Sequence, residues 1–322
     1  MPDNRRLRTA YVVLALAGAL GIQLSGAPRA GAMSASPQAA APRVGGQAAE
    51  SANTPLNIIA FGAHPDDCDI RAGGTGAKWA AAGHRVRFVS VTNGDAGHQS
   101  QGGGALAARR RAEAQEAGRR IGVDSVVLDN HDGELLPELK VREQIIRLIR
   151  QWKADLVLAP RPIDYHPDHR YTGALVQDAA FMVTVPNVAS DTPSLRRNPV
   201  FMYFEDSFQK PSPFAPDVAV SIDDTFARKI EMIDAHVSQV YEWLPWLSGR
   251  LDAVPTDAGA RKAWLANERQ GRISPAVRAA LVKYYGADAG AKAQHAEAFE
   301  ICEYGRRPDE AEIMRLFPFL PR

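Results

Sequence analysis

The feature that most constrains the fold is a regular alternation, from Leu56 onward, of short β-branched runs with longer stretches of helical periodicity. Such alternation is typical of parallel strands joined by crossover helices. The predicted strands cover residues 57–61, 85–92, 125–128, 155–159, 200–204 and 217–222. The predicted helices cover residues 73–82, 106–121, 139–153, 171–182 and 225–240. The sequence therefore predicts an α/β fold with a mostly parallel sheet and helices on both faces.

The N-terminus has the pattern of an export signal. A basic stretch through Arg8 is followed by an uncharged apolar run over residues 9–24, then by small residues ending at Ala32, near which we expect cleavage. We therefore expect residues 1–32 to be a signal peptide and the mature protein to be periplasmic or extracellular. An uncleaved membrane anchor is the alternative, but the short, glycine-interrupted apolar run favours cleavage. Residues 33–53, rich in Ala, Pro, Gly and Ser, are predicted to form a flexible lead-in.

Charge and cysteine content exclude several classes of protein. The formal net charge is +1, and the first 32 residues carry four arginines against one aspartate, so the rest of the chain is slightly acidic. We therefore expect no nucleic-acid partner. The first strand is not followed by G-x-G-x-x-G, so no nucleotide cofactor is expected. Two cysteines, Cys68 and Cys302, are too few for a disulfide framework and leave a single pairing open.

Two histidine- and aspartate-rich motifs follow predicted strands. Residues 62–67 (Gly-Ala-His-Pro-Asp-Asp) come after the first strand, and residues 164–169 (Asp-Tyr-His-Pro-Asp-His) after the fourth. If these strands are neighbours, as in common doubly wound sheets, both motifs lie at the switch point where such folds bind ligands. A set of His, Asp and His ligands with one open position is typical of catalytic zinc, although Fe²⁺, Co²⁺ or Ni²⁺ would also bind. One such motif is often only a capped turn, whereas two at strand ends favour a metal site.

The two motifs in combination resemble the family of GlcNAc-phosphatidylinositol de-N-acetylases and LmbE-like enzymes, the PIG-L family. The resemblance runs from residue 57 to about residue 240 and includes Gly73-Gly74-Thr75, residues 110–113, Asp132-Gly133 and residues 236–239. It implies a Rossmann-like domain over residues 54–242, a zinc ion, and hydrolysis of the N-acetyl amide of an N-acetylglucosamine-type sugar or conjugate. We expect residues 243–322 to form a mainly helical C-terminal extension packed on that domain.

The resemblance also implies roles for individual residues. His64, Asp67 and His169 would be the metal ligands, and Asp66 the general base assisting attack by zinc-bound water. His166 would stabilise the tetrahedral intermediate and Asp168 would orient a neighbouring imidazole. The substrate-binding residues implied are Arg110, Asp132 and His236. The chain departs from the family at Cys68-Asp69, where glutamate is common, and a Cys68 thiolate ligand is an alternative.

Several of these residues have plainer interpretations. Arg110 lies in an arginine run typical of a solvated helix face, Asp132-Gly133 is a turn signal, and His236 is compatible with a satisfied core histidine. Trp243 and Trp246 suit either sugar stacking or a packed core. An exported carbohydrate-binding protein without turnover, or another metallohydrolase, are the alternative functions. The presence of Asp66 beside all three expected ligands favours catalysis.

Overall fold

A computed structural model describes residues 54–321, and its centre is a seven-stranded sheet with the order β3-β2-β1-β4-β5-β7-β6. The predicted signal peptide and lead-in lie outside the described residues. The strands are β1 Asn57–Gly62, β2 Arg85–Thr92, β3 Asp124–Asn130, β4 Leu156–Ala159, β5 Val200–Phe204, β6 Val218–Ser221 and β7 Ala296–Ile301. Strands β1 to β5 pair in parallel, while β7 runs antiparallel to both β5 and β6. The predicted mostly parallel α/β fold is confirmed.

Helices cover both faces of the sheet. They are α1 Asp67–Ala81, α2 Gly103–Ile121, α3 Leu139–Trp152, α4 Pro167–Met182, α5 Phe226–Asp234, α6 Leu244–Leu247, α7 Ala258–Glu268, α8 Pro275–Lys292 and α9 Glu310–Leu316. Alternate residues of β1 enter different cores: Ile58 packs in the cluster that contains Trp79 of α1, and Ile59 in the cluster that contains Ile145 of α3. A strand covered on both faces needs an unbroken apolar sequence, and β1 has one.

Strands β1 and β4 are neighbours, with Ile58 opposite Leu156. From β1 the chain builds the sheet in one direction through β2 and β3, and then returns to build it in the other through β4 and β5. The carboxyl ends of β1 and β4 therefore form the switch point at which open α/β sheets bind ligands. The expected adjacency of the two motif-bearing strands is confirmed.

Three predicted helices begin or end four or more residues away from their bounds in the structure. Helix α1 begins at Asp67 and not at residue 73, so the first motif ends inside the helix. Helix α4 begins at Pro167 and not at residue 171, because Pro suits the first helical turn and His166 caps it. The helix predicted over residues 225–240 stops at Asp234, and a π-helical segment, Ser238–Trp243, follows after a turn.

The C-terminal segment adds a strand to the sheet and also packs helices around it. Strand β7 inserts between β5 and β6, a strand that the mainly helical prediction did not include. Its sequence, Ala-Glu-Ala-Phe-Glu-Ile, is rich in residues depleted from strands, so propensity gave little signal. Within the part of the chain that the structure describes, no helix combines the length and apolar character needed to cross a bilayer.

Candidate metal centre and active site

The first motif turns sharply from β1 into α1. Gly62 is required at this turn because a Cβ atom there would lie 2.6 Å from the Cβ of Asp67. Asp66 has φ 139°, a conformation rare for residues other than glycine and one that stores backbone strain. The Asp67 carboxylate accepts the backbone N–H of His64 at 2.8 Å. The turn thus fixes His64, Asp66 and Asp67 as one unit at the carboxyl end of β1.

The second motif forms the N-terminus of α4. His166 caps the helix, because its Nδ1 accepts the backbone N–H of Asp168 at 3.2 Å. His169 lies in the first helical turn, and its Nε2 approaches His64 Nδ1 to 3.2 Å across the gap between β1 and β4. The two motifs, about a hundred residues apart in the sequence, therefore meet at one place.

Three donor atoms have the spacing of a single metal site. His64 Nδ1 and His169 Nε2 are 3.2 Å apart, Asp67 Oδ2 is 3.3 Å from His169 Nε2, and Asp67 Oδ2 is 3.6 Å from His64 Nδ1. A tetrahedral zinc ion with ordinary bond lengths separates its ligand atoms by about 3.4 Å. His64, Asp67 and His169 therefore fit one divalent cation.

The remaining ring nitrogens of both histidines face carboxylates. His64 Nε2 lies 3.0 Å from Asp132 Oδ1 and 3.3 Å from Asp168 Oδ2, and His169 Nδ1 lies 3.0 Å from Asp164 Oδ1. Carboxylates in these positions fix the tautomer and orientation of metal-binding imidazoles. They leave His64 Nδ1 and His169 Nε2 free to bind the cation.

Two other groupings around His64 have donor atoms close enough for an ion. One joins His64 with His166 and His169, and the other joins it with Asp132 and Asp168. In the second, Asp168 is fully buried and its oxygens accept the backbone N–H groups of Gly133 at 2.7 Å and Leu135 at 3.3 Å. In the first, the capping bond uses His166 Nδ1, and Nε2 is the ring nitrogen that remains. His64, Asp67 and His169 are the set predicted from the sequence, and their role as ligands stays a prediction.

Burial and charge shift the proton affinities of the site. Burial opposes protonation of His64, but hydrogen bonds to Asp132, Asp168 and Asp67 outweigh it and raise the pKa of His64. Burial acts against the charged form of Asp67 too, yet the nearby His169 and His64 hold the pKa of Asp67 well below its usual range. Burial raises the pKa of Asp66. Two adjacent carboxylates thus have opposite proton affinities, a pattern typical of an acid–base site.

Arg110 is buried and does not form part of a solvated helix face. Its Nη2 donates to the carbonyl of Pro65 at 3.1 Å and lies 3.6 Å from Asp66 Oδ1, while Nη1 donates to the carbonyl of Gly94 at 3.2 Å. Arg110 Nη1 also lies 3.5 Å from Asp132 Oδ2. Arg110 therefore braces the strained turn at Asp66. Binding of substrate by Arg110 and Asp132 stays a prediction.

His236 lies behind the first motif with no exposed surface. Its Nε2 is 3.1 Å from Asp69 Oδ1, and its Nδ1 has no hydrogen-bond partner among the described residues. Asp69 occupies the stretch in which the sequence departs from the family, and His236 holds it in place. The predicted contact of His236 with substrate stays a prediction. In the structure, His236 supports the side chain of Asp69.

Cys68 points into the hydrophobic core, with its Sγ atom 3.9 Å from the carbonyl oxygen of Val89. Burial raises the pKa of its thiol, which does not favour a thiolate ligand. Cys68 and Cys302 are both buried free thiols.

Trp243 and Trp246 stack on each other with ring centroids 5.3 Å apart, and Trp246 is partly exposed.

Asp164 belongs to the site although no role was predicted for it. Its carboxylate is 3.0 Å from His169 Nδ1 and also accepts the backbone N–H of His166 at 3.0 Å. Burial opposes ionisation, but the bond to His169 lowers the pKa of Asp164 below its usual range. The one available sequence signal was its place in the same loop as two histidines, since such ligands commonly pair with a carboxylate.

Comparison with known proteins adds to this geometry. Residues 59–180 match the family model described as PIG-L, GlcNAc-PI de-N-acetylase. A diacetylchitobiose deacetylase of Thermococcus kodakarensis is 32% identical over 216 residues, which cover 61% of this chain and 78% of that protein.

Solved structures show the same fold. The N,N'-diacetylchitobiose deacetylase from Pyrococcus horikoshii superposes with a TM-score of 0.56 and 26% identity, over 77% of this chain and 84% of that chain. The 4-carboxy-2-hydroxymuconate hydratase GalB from Pseudomonas putida has a TM-score of 0.60 at 19% identity, over 79% of this chain and 99% of that chain, which is a likeness of fold alone. Because the sequence similarity to the Thermococcus protein extends over more than three quarters of its length and the family model spans both motifs, this chain belongs to the PIG-L family.

Proposed function

We propose that this protein is a divalent-metal-dependent deacetylase that hydrolyses the N-acetyl amide of an N-acetylglucosamine-type sugar or conjugate. The observation that carries the proposal is the meeting of His64, Asp67 and His169 donor atoms at 3.2–3.6 Å, beside the buried carboxylate of Asp66. The names of the two diacetylchitobiose deacetylases support the choice of an acetylated amino sugar.

His64, Asp67 and His169 would hold the cation. Zinc suits this donor set, and Fe²⁺, Co²⁺ or Ni²⁺ would also be accepted. When bound, such a cation lowers the pKa of water and polarises a carbonyl group. Asp168 and Asp132 hold His64, and Asp164 holds His169, so the imidazoles do not have to reorient during turnover.

Asp66 is the group that moves the proton. Its raised pKa makes it a stronger base than an ordinary carboxylate, so it can accept a proton from the attacking water. The water oxygen bonds to the acetamide carbon, the carbon–nitrogen bond breaks, and Asp66 returns the proton to the departing amine. The products are acetate and a free amino sugar. Arg110, 3.6 Å away, keeps the carboxylate in place.

His166 is the residue to which we assign stabilisation of the carbonyl oxygen. Because its Nδ1 accepts the Asp168 N–H, the proton of the neutral ring is on Nε2, where it can be donated to a developing negative charge. Burial and the neighbouring His64 lower the pKa of His166, so a neutral ring is the expected donor. Arg110 and Asp132 are the residues we propose to contact sugar hydroxyls.

The test combines metal content with acetate release. Purified protein should contain about one divalent metal per chain and release acetate from diacetylchitobiose. Asp66→Asn should keep the metal and lose about 10²–10⁴-fold in kcat, whereas His169→Ala should lose the metal. Asp178→Asn, an exposed carboxylate on α4, is the control and should behave as wild type.

Full turnover by Asp66→Asn would reject the proposed mechanism. Metal bound without acetate release from any acetylated sugar would favour a carbohydrate-binding protein or another metallohydrolase.

We also propose that the reaction takes place outside the cytoplasm, because residues 1–32 have the sequence pattern of an export signal. A cell-envelope glycan or small exported glycoside is then the natural substrate. N-terminal sequencing of the exported protein should find it beginning after Ala32, and recovery of the intact leader in membranes would favour an anchor.

A further inference from the structure

A cavity of about 450 Å³ lies at the amino ends of β4 and β5, away from the candidate active site. Its wall contains Asp155 and Pro199, the residues that immediately precede these two strands, together with the end of α3 and residues 192–198. The predicted metal ligands are at the carboxyl ends of β1 and β4, so the two places lie at opposite edges of the sheet. Sites for small molecules commonly have volumes of about 300–1,000 Å³, and this cavity is within that range.

Positive charge predominates in the wall of this cavity. The cationic side chains are Arg150, Lys153, Arg196, Arg197 and Arg306. The one carboxylate in the wall, that of Asp155, is already engaged, because it accepts the backbone N–H of Asn57 at 2.9 Å and pairs with Arg315 at 3.2 Å. The wall therefore has an excess of positive charge.

Two of the five cations have a carboxylate partner outside the wall. Glu312 on α9 pairs with Arg306 at 2.5 Å and with Arg197 at 3.5 Å. Lys153 and Arg196 are exposed and make no ion pair with any residue between 54 and 321. These two charges are therefore available to a ligand.

Arg150 adds buried charge behind them. Its side chain donates to six backbone carbonyls, and those of Met182 and Val183 are at the end of α4. These bonds satisfy its N–H groups, but no carboxylate in the described part of the chain pairs with it. Burial accordingly lowers the pKa of Arg150, and the charge of Asp191 is the main effect that opposes this decrease. A cation compensated mainly by carbonyl dipoles favours an anion in the adjacent cavity.

Lys153 occupies a backbone position that suits glycine better. It follows the last residue of α3 with φ 52°, in the left-handed region where helices usually end in glycine or asparagine. A cation also interacts favourably with the C-terminus of a helix. The lysine therefore places charge in the wall of the cavity at some cost in backbone strain.

The rest of the wall suits an organic ligand with hydroxyl groups. Asn198 Oδ1 is buried and has no hydrogen-bond partner among the described residues, so a ligand hydroxyl can satisfy it. Pro193, Leu195 and Pro199 supply apolar surface to the same wall. The cavity thus combines unpaired cations, an open acceptor and apolar contacts.

We propose that this cavity binds a phosphate monoester of a small hydroxylated compound, with Lys153 and Arg196 holding the phosphate and Asn198 accepting a ligand hydroxyl. A phosphate monoester carries about 1.5 to 2 negative charges at pH 7, which matches the two cations that lack a partner. The site is separate from the candidate metal centre, and its test does not depend on the proposed deacetylase function.

Isothermal titration calorimetry at neutral pH tests the proposal with three probes: glycerol 3-phosphate, inorganic phosphate and glycerol. The wild type should bind glycerol 3-phosphate about tenfold more tightly than inorganic phosphate, because only the ester offers hydroxyl groups to the wall. Glycerol, which has no charge, should give no measurable heat of binding.

Two variants remove the unpaired cations one at a time. Lys153→Gly and Arg196→Gln should each weaken glycerol 3-phosphate binding by about tenfold. Lys153→Gly also relieves the backbone strain at φ 52°, so its urea midpoint should not fall below that of the wild type. Lost affinity in that variant then reports a missing ligand contact and not unfolding.

Lys140→Gln is the matched control, because Lys140 is an exposed lysine at the opposite end of α3. It should bind glycerol 3-phosphate as the wild type does. An equal loss in Lys140→Gln would mean that net charge, and not the cavity, governs binding, and would overturn the proposal. Failure of the wild type to bind glycerol 3-phosphate, equal affinity for inorganic phosphate, or wild-type affinity in both cavity variants would overturn it as well.

Discussion

Asp66 combines a chemical role with a backbone conformation that glycine adopts more easily. With φ 139° it lies outside the regions open to ordinary L-residues, and Arg110 holds both the Pro65 carbonyl and the Asp66 carboxylate. Strain of this kind persists only where the surroundings impose it. The position therefore keeps a carboxylate at the expense of stability.

Replacing Asp66 separates the two effects. Asp66→Gly and Asp66→Ala both remove the carboxylate, and only glycine relieves the strain at φ 139°. We expect Asp66→Gly to be more stable than Asp66→Ala by about 1 kcal/mol in urea unfolding, and both to lose deacetylation. Equal unfolding free energies for the two variants would mean that the turn relaxes when the carboxylate is absent.

Asp164 is predicted to set metal affinity without touching the metal. Asp164→Ala removes the acceptor for His169 Nδ1–H, so metal affinity should fall by roughly 10–100-fold in competition with a chelator. Asp164→Asn retains a neutral acceptor and should lose less. Unchanged affinity in both variants would show that α4 alone orients His169.

For individual site residues, the sequence predicted some positions and missed others. The convergence of His64, Asp67 and His169 was predictable because their motifs follow strands that the topology brings together, whereas their role as ligands is implied by the resemblance and stays a prediction. The contact of Asp164 with His169 was not predicted, because a carboxylate can be paired with an imidazole only when the orientation of that ring is known. The resemblance implies a substrate-binding role for His236, which stays a prediction, and its complete burial depends on the turn after α5, which periodicity did not predict.

At the scale of elements, close packing of α4 places His169. A Cβ atom at Gly173 would lie 2.6 Å from the Pro160 carbonyl oxygen and 2.9 Å from the Arg161 carbonyl carbon, both rigid backbone atoms beyond β4. The helix can therefore approach the end of β4 only with glycine at this position.

Gly173→Ala should push α4 away from β4. We expect a loss of about 2 kcal/mol of unfolding free energy together with weaker metal binding, because His169 moves with the helix. Gly104→Ala in α2 is the control, since nothing lies within 4 Å of its Cβ position. A Gly173→Ala protein with wild-type stability and metal affinity would contradict this account of the packing.

The elements that were predicted well are those with strong apolar periodicity. Strands β2 and β5 have their predicted bounds, and β1 and α3 are within one residue of theirs. Strand β7 was not predicted because its pairing, not its composition, makes it a strand: Glu297 is buried and bonds to Gly74 N–H, Thr75 N–H and Lys229. Such partners are distant in sequence and cannot be read from a local window.

For the whole molecule, ion pairs attach the last helix to the sheet. Glu312 on α9 bonds to Arg306 and Arg315, and Arg315 reaches Asp155 at the start of β4 at 3.2 Å. Burial alone would raise the pKa of Glu312, but its hydrogen bonds to Arg315 and Arg306 lower it to about 2. Ionised Glu312 is therefore stabilised by folding.

The stabilisation from Glu312 should depend on pH. Because its pKa is lower in the folded state, its contribution is complete above the ordinary value of 4.5 and is lost as pH falls towards about 2. After allowance for solvent screening, Glu312→Gln should cost about 1–2 kcal/mol at pH 7, and the difference from wild type should shrink below pH 4.5. Urea unfolding across this range measures it, with the exposed Glu310→Gln as control. A difference that is constant with pH would exclude Glu312 as the titrating group.

The insertion of β7 between β5 and β6 has a consequence for how the molecule is made. A growing polypeptide that has not yet reached residue 301 carries two strands whose inner edges lack their neighbour, and unpaired edges of this kind attract other chains. The pairing of β7 with β5 and with β6 can form only after residue 301 has been synthesised. Closure of the sheet therefore waits for a strand that lies more than two hundred residues beyond β1 in the sequence.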